Sequence, residues 1–242
     1  MATVGFLDAI LTVLEKGILI QFGRKFTNVI EDSPTDGVEF GFADGSTESA
    51  SILVGADGIH STVREYLYPD LQTIFLGMAG ITAAVSRAQL KLPEDYHIPV
   101  TIMSPQGAFV IAPQQADGSE VLIGKQQRVS AGKPGWDREF VADKQGAVEF
   151  LQTGNAHFPE FVRNAVSQID PVKVNKWPFF VVPKLDKWAS ETRRVLIVGD
   201  AAHAIPPSAG QGINQAFEDV YVLALLLSKA DKIENFQDAL SF

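Results

Sequence analysis

Two short segments of this sequence end an apolar run with a glycine and then present an aspartate. In LVGADG, Asp57 follows Gly55, and in LIVGDAAH, Asp200 follows Gly199. A carboxylate just past the end of a buried strand can accept hydrogen bonds from the hydroxyl groups of a sugar-like ligand. Ligands of open α/β sheets bind at the carboxyl ends of strands, so the two aspartates could face one ligand. Each segment alone also fits an ordinary turn in which the aspartate caps backbone N–H groups.

The loop after the second aspartate combines rigid and permissive residues. Pro206 and Pro207 fix two φ angles and remove two N–H donors. Gly210 and Gly212 let the backbone approach a ligand where a Cβ would clash. An amphipathic helix is predicted from about 212 to 229, and its N-terminal N–H groups suit an anion or a developing negative charge. The residue types therefore indicate backbone recognition of an electron-rich ligand edge.

Composition excludes several classes of function. The sequence has no cysteine, which removes disulfides, thiolate metal sites and cysteine nucleophiles. The net charge of -9 disfavours a nucleic-acid partner, because phosphate binding needs a basic face. No metal site is expected, since the histidines are too far apart in sequence to share one helix face. These histidines are His60, His97, His157 and His203.

The apolar segments do not predict a membrane protein. The longest uninterrupted apolar run, Val220 to Leu227, is too short to span a bilayer. The first residues contain Asp8 and Glu15 within their apolar stretch and have no basic region, which argues against a secretory signal. We therefore expect no membrane span and a cytoplasmic location.

Hydrophobic spacing predicts alternating strands and helices around the two motifs. We expect a strand, a hairpin partner and a buried strand between residues 18 and 55, and an antiparallel meander in the middle of the chain. The predicted segments are a helix at 6–14, meander strands at 97–105, 107–115 and 119–129, helices at 139–152 and 159–169, an extended run at 174–188 and a buried strand at 193–200.

The two motifs carry a family resemblance. The segment RRVLIVGDAAHAIPPSAGQGINQAFEDVYVLALLL resembles the second FAD-binding motif of the flavoprotein aromatic hydroxylases, the group that includes para-hydroxybenzoate and salicylate hydroxylases. LVGADGIHSTVRE, from Leu53 to Glu65, resembles the aspartate-glycine motif of the same family. Both motifs occur in the family's order, with the meander between them. The resemblance extends in outline from about Gly17 to Lys229.

The resemblance implies the architecture and the reaction. The fold would be α/β, with a partial, discontinuous FAD-binding domain of the Rossmann-like, para-hydroxybenzoate-hydroxylase type at residues 1–68 and 190–242. An α+β substrate-binding domain with an antiparallel sheet would be inserted at residues 69–189. With FAD as cofactor and NAD(P)H as cosubstrate, the protein would insert one oxygen atom of O₂ into an aromatic or other apolar organic substrate. The identity of the substrate and the choice between NADH and NADPH stay open.

The resemblance also implies roles for residues of the second motif. Asp200 would bond the ribityl chain of FAD. Pro207 would lie beside the isoalloxazine ring near the reacting edge, which is a positioning role, and no side-chain nucleophile is expected. Groups for the flavin ring and its pyrimidine end would come from Gly210, Gly212, Ile213 and Asn214.

Residues of the first motif would act on the phosphate side of the cofactor. By resemblance, Asp57 and Gly58 would lie near the FAD pyrophosphate and help position the nicotinamide cofactor, and Arg64 would organise that turn. His203 is expected to be structural, bonded to loop backbone. Asp219 and its neighbour Glu218 are expected on the helix surface or at an interdomain contact. The buried stripe of the helix is predicted at Ile213, Ala216, Phe217, Val220, Leu223, Ala224 and Leu227.

The family's G-x-G-x-x-G turn, which holds the ADP half of FAD, does not occur in these 242 residues. Gly210 and Gly212 do not form one, because Gln215 occupies the third glycine position and the preceding strand ends well before them. We therefore expect a truncated family member that keeps the flavin-ring half of the site. The alternatives are a catalytically incompetent member and an alkene epoxidase of the same group. A nicotinamide-only dehydrogenase is disfavoured because it needs the same turn.

Overall fold

The chain crosses three times between two units. A computed structural model describes residues 15–93, 95–105, 107–132 and 135–229. Of these, residues 15–20 and Phe75–Phe179 form one unit, here called the sheet unit. Gln21–Ile74 and residues 180–229 form the other, here called the motif unit because it contains both aspartate motifs. The helix expected at 6–14 lies outside the described residues.

The described part of the chain contains both strands and helices, as the sequence predicts. The strands are β1 (Phe26–Ser33), β2 (Gly37–Phe42), β3 (Thr47–Ala50), β4 (Leu53–Gly55), β5 (Ile74–Ser86), β6 (Val100–Ser104), β7 (Gly107–Pro113), β8 (Glu120–Arg128), β9 (Val174–Val181) and β10 (Val195–Ile197). The α-helices are α1 (Thr62–Leu67), α2 (Arg87–Leu90), α3 (Trp136–Ala142), α4 (Lys144–Gln152), α5 (Glu160–Ala165), α6 (Asp200–His203) and α7 (Gly212–Lys229). Single 3₁₀ turns lie at Pro171–Lys173 and Pro207–Ala209.

In the motif unit, the strands of the two motifs are direct neighbours. β4 and β10 pair in parallel, with Leu53 N–H donating to Arg194 O at 2.8 Å and Val198 N–H donating to Gly55 O at 3.0 Å. Both strands therefore end at the same edge, which confirms the expected juxtaposition of the two strand ends. An antiparallel sheet in the order β1-β2-β3 completes the unit.

Helix α1 packs directly on the end of β4. A Cβ added to Gly55 would lie 2.5 Å from Cβ of Val63, so no larger residue fits there. Val63 is buried, and apolar residues of β2 and β10 close the core around it. This close packing fixes the turn between β4 and α1, which carries Asp57 and Gly58.

The sheet unit is a five-stranded sheet in the order β6-β7-β8-β5-β9. The meander expected from the sequence is confirmed as β6, β7 and β8, which pair antiparallel in succession. Residues on one face of the sheet pack with residues of α4 and α5 in a single core. The fully buried residues of that core include Ile81, Phe109, Ile111, Ile123, Leu151 and Val162.

The helix expected at 139–152 is wrong as a single element. The structure has two helices, α3 and α4, which are separated at Asp143. The carboxylate of Asp143 accepts the backbone N–H of Gly146 at 2.9 Å, so the aspartate begins a new helix instead of continuing the first. The helix expected at 159–169 is shorter than predicted and ends at Ala165.

Helix α7 has its predicted bounds, but the predicted buried stripe is wrong. Ile213, Phe217 and Val220 are 74%, 65% and 50% exposed. Of the predicted stripe only Ala216 and Leu223 are half-buried, and they share the inward face with Asp219, which the stripe did not include. Apolar residues occur on several faces of this helix, so their spacing did not decide which face turns inward.

No helix in the described part of the chain is long and apolar enough to cross a membrane.

Lys125, on the helix-facing side of β8, caps the C-terminal end of α4. Its Nζ donates to the carbonyl oxygens of Leu151 at 3.3 Å and Thr153 at 2.7 Å, and to Oδ1 of Asn155 at 3.1 Å. The carbonyl groups at the end of a helix lack partners within the helix, so Lys125 satisfies groups that would otherwise be open.

This lysine predicts a pH dependence of stability. Burial lowers the pKa of Lys125 from 10.5 to about 8. Between these two pKa values the unfolded chain binds more protons at Lys125 than the folded protein does. The stability that Lys125 contributes is therefore complete above the pKa of the unfolded state and is lost as the pH falls through the pKa of the folded state. We expect the free energy of unfolding, relative to Lys125→Met, to rise by about 1 kcal/mol from pH 8 to pH 10, allowing for solvent screening. Urea unfolding measures it, and parallel pH profiles for the two proteins would contradict it.

Candidate functional site

The common edge of β4 and β10 carries the residues that the sequence singled out. At the end of β4, the Asp57 carboxylate accepts a hydrogen bond from Ser61 Oγ and the backbone N–H groups of Thr62 at 2.8 Å and Val63 at 3.2 Å. Ser61 is the N-cap residue of α1, and its Oγ accepts Arg64 N–H at 2.9 Å, while Asp57 accepts the two N–H groups before it. The next residue, Gly58, has φ +79 and open space where a Cβ would stand. The turn thus has an exposed Asp57 and, at Gly58, a backbone that no side chain covers.

Arg64 connects the two motifs. It is buried, and its Nη1 donates to Ala201 O in α6 at 2.9 Å, while Nη2 donates to Ile59 O at 2.5 Å. Burial lowers the pKa of the guanidinium. Both carbonyl oxygens belong to motif turns, so Arg64 holds the turn after β4 against the turn after β10.

The turn after β10 requires glycine. Gly199 has φ +59, a conformation that side-chain-bearing residues rarely adopt, and a Cβ there would lie 3.3 Å from Cβ of Ala216. Asp200 follows immediately, begins α6 and is exposed. The strand end thus presents the Asp200 carboxylate to the surface and places its own backbone against α7.

The proline loop has one defined shape. Ala209 N–H donates to Pro206 O at 2.9 Å and Gly210 N–H donates to Pro207 O at 3.1 Å, which closes a 3₁₀ turn. Gly210 has φ +64 and reverses the chain into α7. The sequence interpretation of rigid prolines followed by a permissive glycine matches this geometry.

The first turn of α7 lies beside Asp200 and leaves room for a ligand. The first helical bond is Gln215 N–H to Gln211 O at 2.9 Å, so the N–H groups of the three residues before Gln215 have no acceptor within the helix. Gly212 has no positive φ, and the nearest atom to an added Cβ is Asp200 Oδ1 at 3.9 Å. The fold itself therefore does not require glycine at this position. The side-chain oxygen of Gln215 is also buried without a partner in the described structure.

These observations divide the predicted residues into two groups. Arg64, which is buried, and Asp57, which is exposed, form hydrogen bonds to nearby backbone groups and hold the turns in place. The second group combines a carboxylate with helix N–H groups, which together can bind a polyhydroxylated chain and an adjoining anionic edge. This second group consists of exposed Asp200, Pro207, Gly210, Ile213 and Asn214, with half-buried Gly212 among them.

One pair of residues near this surface was assigned incorrectly from the sequence. His203 was expected to bond loop backbone, but its Nε2 lies 2.6 Å from Oδ2 of Asp219. Asp219 was expected on the helix surface or between domains, yet it contacts its own unit and also accepts Gly199 N–H at 2.8 Å. Asp219 and Glu218 stand side by side before the apolar part of α7, and the sequence gives no signal that tells which of the two carboxylates turns inward.

Comparison with known proteins identifies the family. The family profile described as "FAD binding domain" matches residues 12–234 of the chain. The chain belongs to this family, that of the FAD-dependent aromatic hydroxylases. The resemblance, the α/β fold class and FAD as the family's cofactor are thereby confirmed.

Relatives of this hydroxylase-family chain are longer proteins. It is 33% identical over 210 residues to 3-amino-4-hydroxybenzoate 2-monooxygenase PtmB3 of Streptomyces platensis, covering 84% of this chain and 48% of the relative. It is 27% identical over 236 residues to salicylate hydroxylase of Pseudomonas putida, covering 92% of this chain and 52% of the relative. The chain therefore spans about half the length of these curated relatives.

A solved structure shows the same fold. Klebsiella pneumoniae HpxO complexed with FAD and uric acid superimposes on the hydroxylase-family chain with a TM-score of 0.74 at 24% identity. The superposition covers 94% of this chain and 57% of HpxO. The arrangement of strands and helices described above is therefore the fold of HpxO.

Proposed function

We propose that this chain carries the flavin-ring half of the site of an FAD-dependent monooxygenase. The reaction is insertion of one oxygen atom of O₂ into an aromatic or other apolar organic substrate, with NAD(P)H as reductant. The observation that carries the proposal is Gly212, which has an ordinary backbone conformation and no close neighbour, yet bears no side chain beside the Asp200 carboxylate. A ligand that approaches the backbone explains this glycine, whereas the fold does not.

The exposed residues fit the flavin end of FAD. The Asp200 carboxylate accepts hydrogen bonds from the ribityl hydroxyl groups. The N–H groups at Gly212, Ile213 and Asn214, at the positive end of the α7 dipole, stabilise negative charge at the pyrimidine edge of the ring. Pro207, in the rigid 3₁₀ turn, and Gly210 form the adjoining wall. When bound, FAD supplies the redox chemistry by taking a hydride from NAD(P)H and reacting with O₂.

The first motif contributes through its backbone in this proposal. Gly58 offers an open approach toward the pyrophosphate side of the cofactor. Asp57 and Arg64 act indirectly, since their side chains are already bonded to α1, to Ile59 and to α6. Their part is to keep Gly58 and Asp200 at one edge.

We assign the motif unit to the partial FAD-binding domain, expected at residues 1–68 and 190–242, and the sheet unit to the substrate-binding domain, expected at residues 69–189.

The sheet face opposite the helices supports an apolar substrate. Gly80 lies on it, and a Cβ there would be 2.8 Å from the Trp177 ring and 3.1 Å from the Phe179 ring. Val110 is on the same face, and Trp177 and Val110 are 37% and 36% exposed. Rings on an open sheet face suit stacking against an aromatic ligand.

Cofactor titration tests the proposal. FAD, FMN and riboflavin are each titrated into the full chain, and quenching of flavin fluorescence gives the affinities. We expect saturable binding of all three, because the proposed contacts include the ring and the ribityl chain that they share. Protein with bound FAD is then supplied with NADH or NADPH, ¹⁸O₂ and aromatic acids such as salicylate or 3-amino-4-hydroxybenzoate. A chain that binds none of the three flavins would refute the proposal.

A further inference from the structure

The carboxylate of Asp219 joins the inner face of α7 to the turn that carries Asp200. We infer that Asp219 and His203 form a positioning pair, which holds the Asp200 turn and the first turns of α7 in one relative position. This inference rests on the proposed function, because those two elements are the proposed contacts of the flavin. Neither residue of the pair is itself placed against the flavin.

The geometry of the pair is specific. Asp219 Oδ2 accepts Gly199 N–H at 2.8 Å and lies 2.6 Å from His203 Nε2. The side chains of Asp219 and His203 are only 14% and 23% exposed. A carboxylate can only accept, so the proton between them resides on Nε2 of His203. Hydrogen bonds to a partly buried carboxylate are among the stronger ones in proteins.

Three residues on one face of α7 lie near the turn after β10. Gly212, Ala216 and Asp219 are spaced so that they lie one above another on the helix. Gly212 faces Asp200 Oδ1, and Ala216 lies against Gly199. Asp219 completes the series by binding the Gly199 N–H. Of these three residues, Ala216 and Asp219 hold the turn, and Asp219 provides the polar contact.

The other side of the pair is also fixed. The His203 ring packs against the indole of Trp188, with ring centroids 4.9 Å apart and planes tilted by 33°. Trp188 O in turn accepts Ile197 N–H of β10 at 3.0 Å. The imidazole is thus held between a segment bonded to β10 and the Asp219 carboxylate.

Asp219 lies about 10 Å along the helix from Gly212, so it acts on the flavin site only through Gly199 and Asp200.

Substitution of Asp219 tests the pair against a matched control. Asp219→Ala removes both hydrogen bonds, and Asp219→Asn keeps an oxygen that can accept Gly199 N–H. Glu218→Ala removes the same charge from an exposed neighbour on α7. FAD affinity, the absorption spectrum of bound FAD, and amide exchange of Gly199 without flavin, measured by NMR, are compared across the set. Circular dichroism checks that each variant is folded.

We expect Asp219→Ala to weaken FAD binding about tenfold, to change the spectrum of bound FAD and to speed exchange of the Gly199 amide. Asp219→Asn should recover most of the affinity, and Glu218→Ala should behave as wild type. Wild-type affinity, spectrum and exchange in Asp219→Ala would overturn the inference, as would an equal effect of Glu218→Ala. If Asp219→Ala does not fold, Asp219→Asn decides the question. Wild-type FAD affinity and wild-type Gly199 amide exchange in Asp219→Asn support the pair, and the loss of both overturns it. A wild-type chain that binds no FAD would refute the proposed function instead, and the exchange result would still decide whether the pair holds the turn.

Discussion

Gly212→Val is expected to weaken FAD binding at least tenfold, about 1.4 kcal/mol, while the protein without flavin stays folded. Gly212 lacks a positive φ, and an added Cβ has no neighbour closer than Asp200 Oδ1 at 3.9 Å, so the fold accepts a side chain there. The same side chain would occupy the space through which a flavin approaches the N–H groups of α7. Fluorescence titration gives the affinity, and thermal unfolding gives the stability.

The control for this change lies on the same helix. Ala224→Val adds a similar side chain at an exposed position of α7, several turns from the loop. We expect this variant to bind FAD as wild type does. Wild-type affinity in Gly212→Val would show that no ligand approaches this backbone. A large loss of stability in Gly212→Val would show that the glycine serves the fold instead.

Arg64→Ala should cause the largest loss of stability among the motif residues. The change leaves Ala201 O and Ile59 O without their donor and opens a cavity between α1 and α6. Unpaired buried polar groups cost about 1–3 kcal/mol each, so we expect the free energy of unfolding to fall by about 3 kcal/mol. Urea unfolding of the full chain provides the measurement.

Two further variants separate charge from geometry at this position. Arg64→Lys keeps the charge but cannot reach two carbonyl oxygens with one planar group, and it should recover only part of the loss. Arg138→Ala removes an exposed arginine of α3 and should change stability by no more than about 0.5 kcal/mol. If Arg64→Ala is as stable as Arg138→Ala, the two motifs are not held together by this guanidinium.

The sequence predicted those parts of the structure that depend on local patterns. The apolar runs ending at Gly55 and Val198 predicted two buried strands, and the structure pairs them side by side. β10 is fully buried, whereas Val54 of β4 is exposed. The prolines and Gly210 predicted a fixed loop before α7, because fixed and positive φ angles are properties of those residue types. The family resemblance rested on these same segments.

The parts that the sequence could not predict depend on contacts between distant residues. The position of Asp57 near the cofactor stays a prediction, but the sequence did not reveal that its oxygens bond to Ser61, Thr62 and Val63. No sequence pattern distinguishes an aspartate that binds a helix start from one that contacts a ligand. The inward face of α7 was predicted from apolar spacing alone. In the structure that face carries Asp219, whose partners Gly199 and His203 lie on other elements.

The central claim is that the Asp200 turn and the start of α7 bind the flavin end of FAD. Titration of FAD into the ¹⁵N-labelled chain, followed by amide chemical shifts, tests it most directly. We predict that the largest shifts occur at Gly212, Ile213 and Asn214, with smaller ones at Gly58 and Asp200. Shifts confined to the sheet unit, or no shifts at saturating FAD, would contradict the claim.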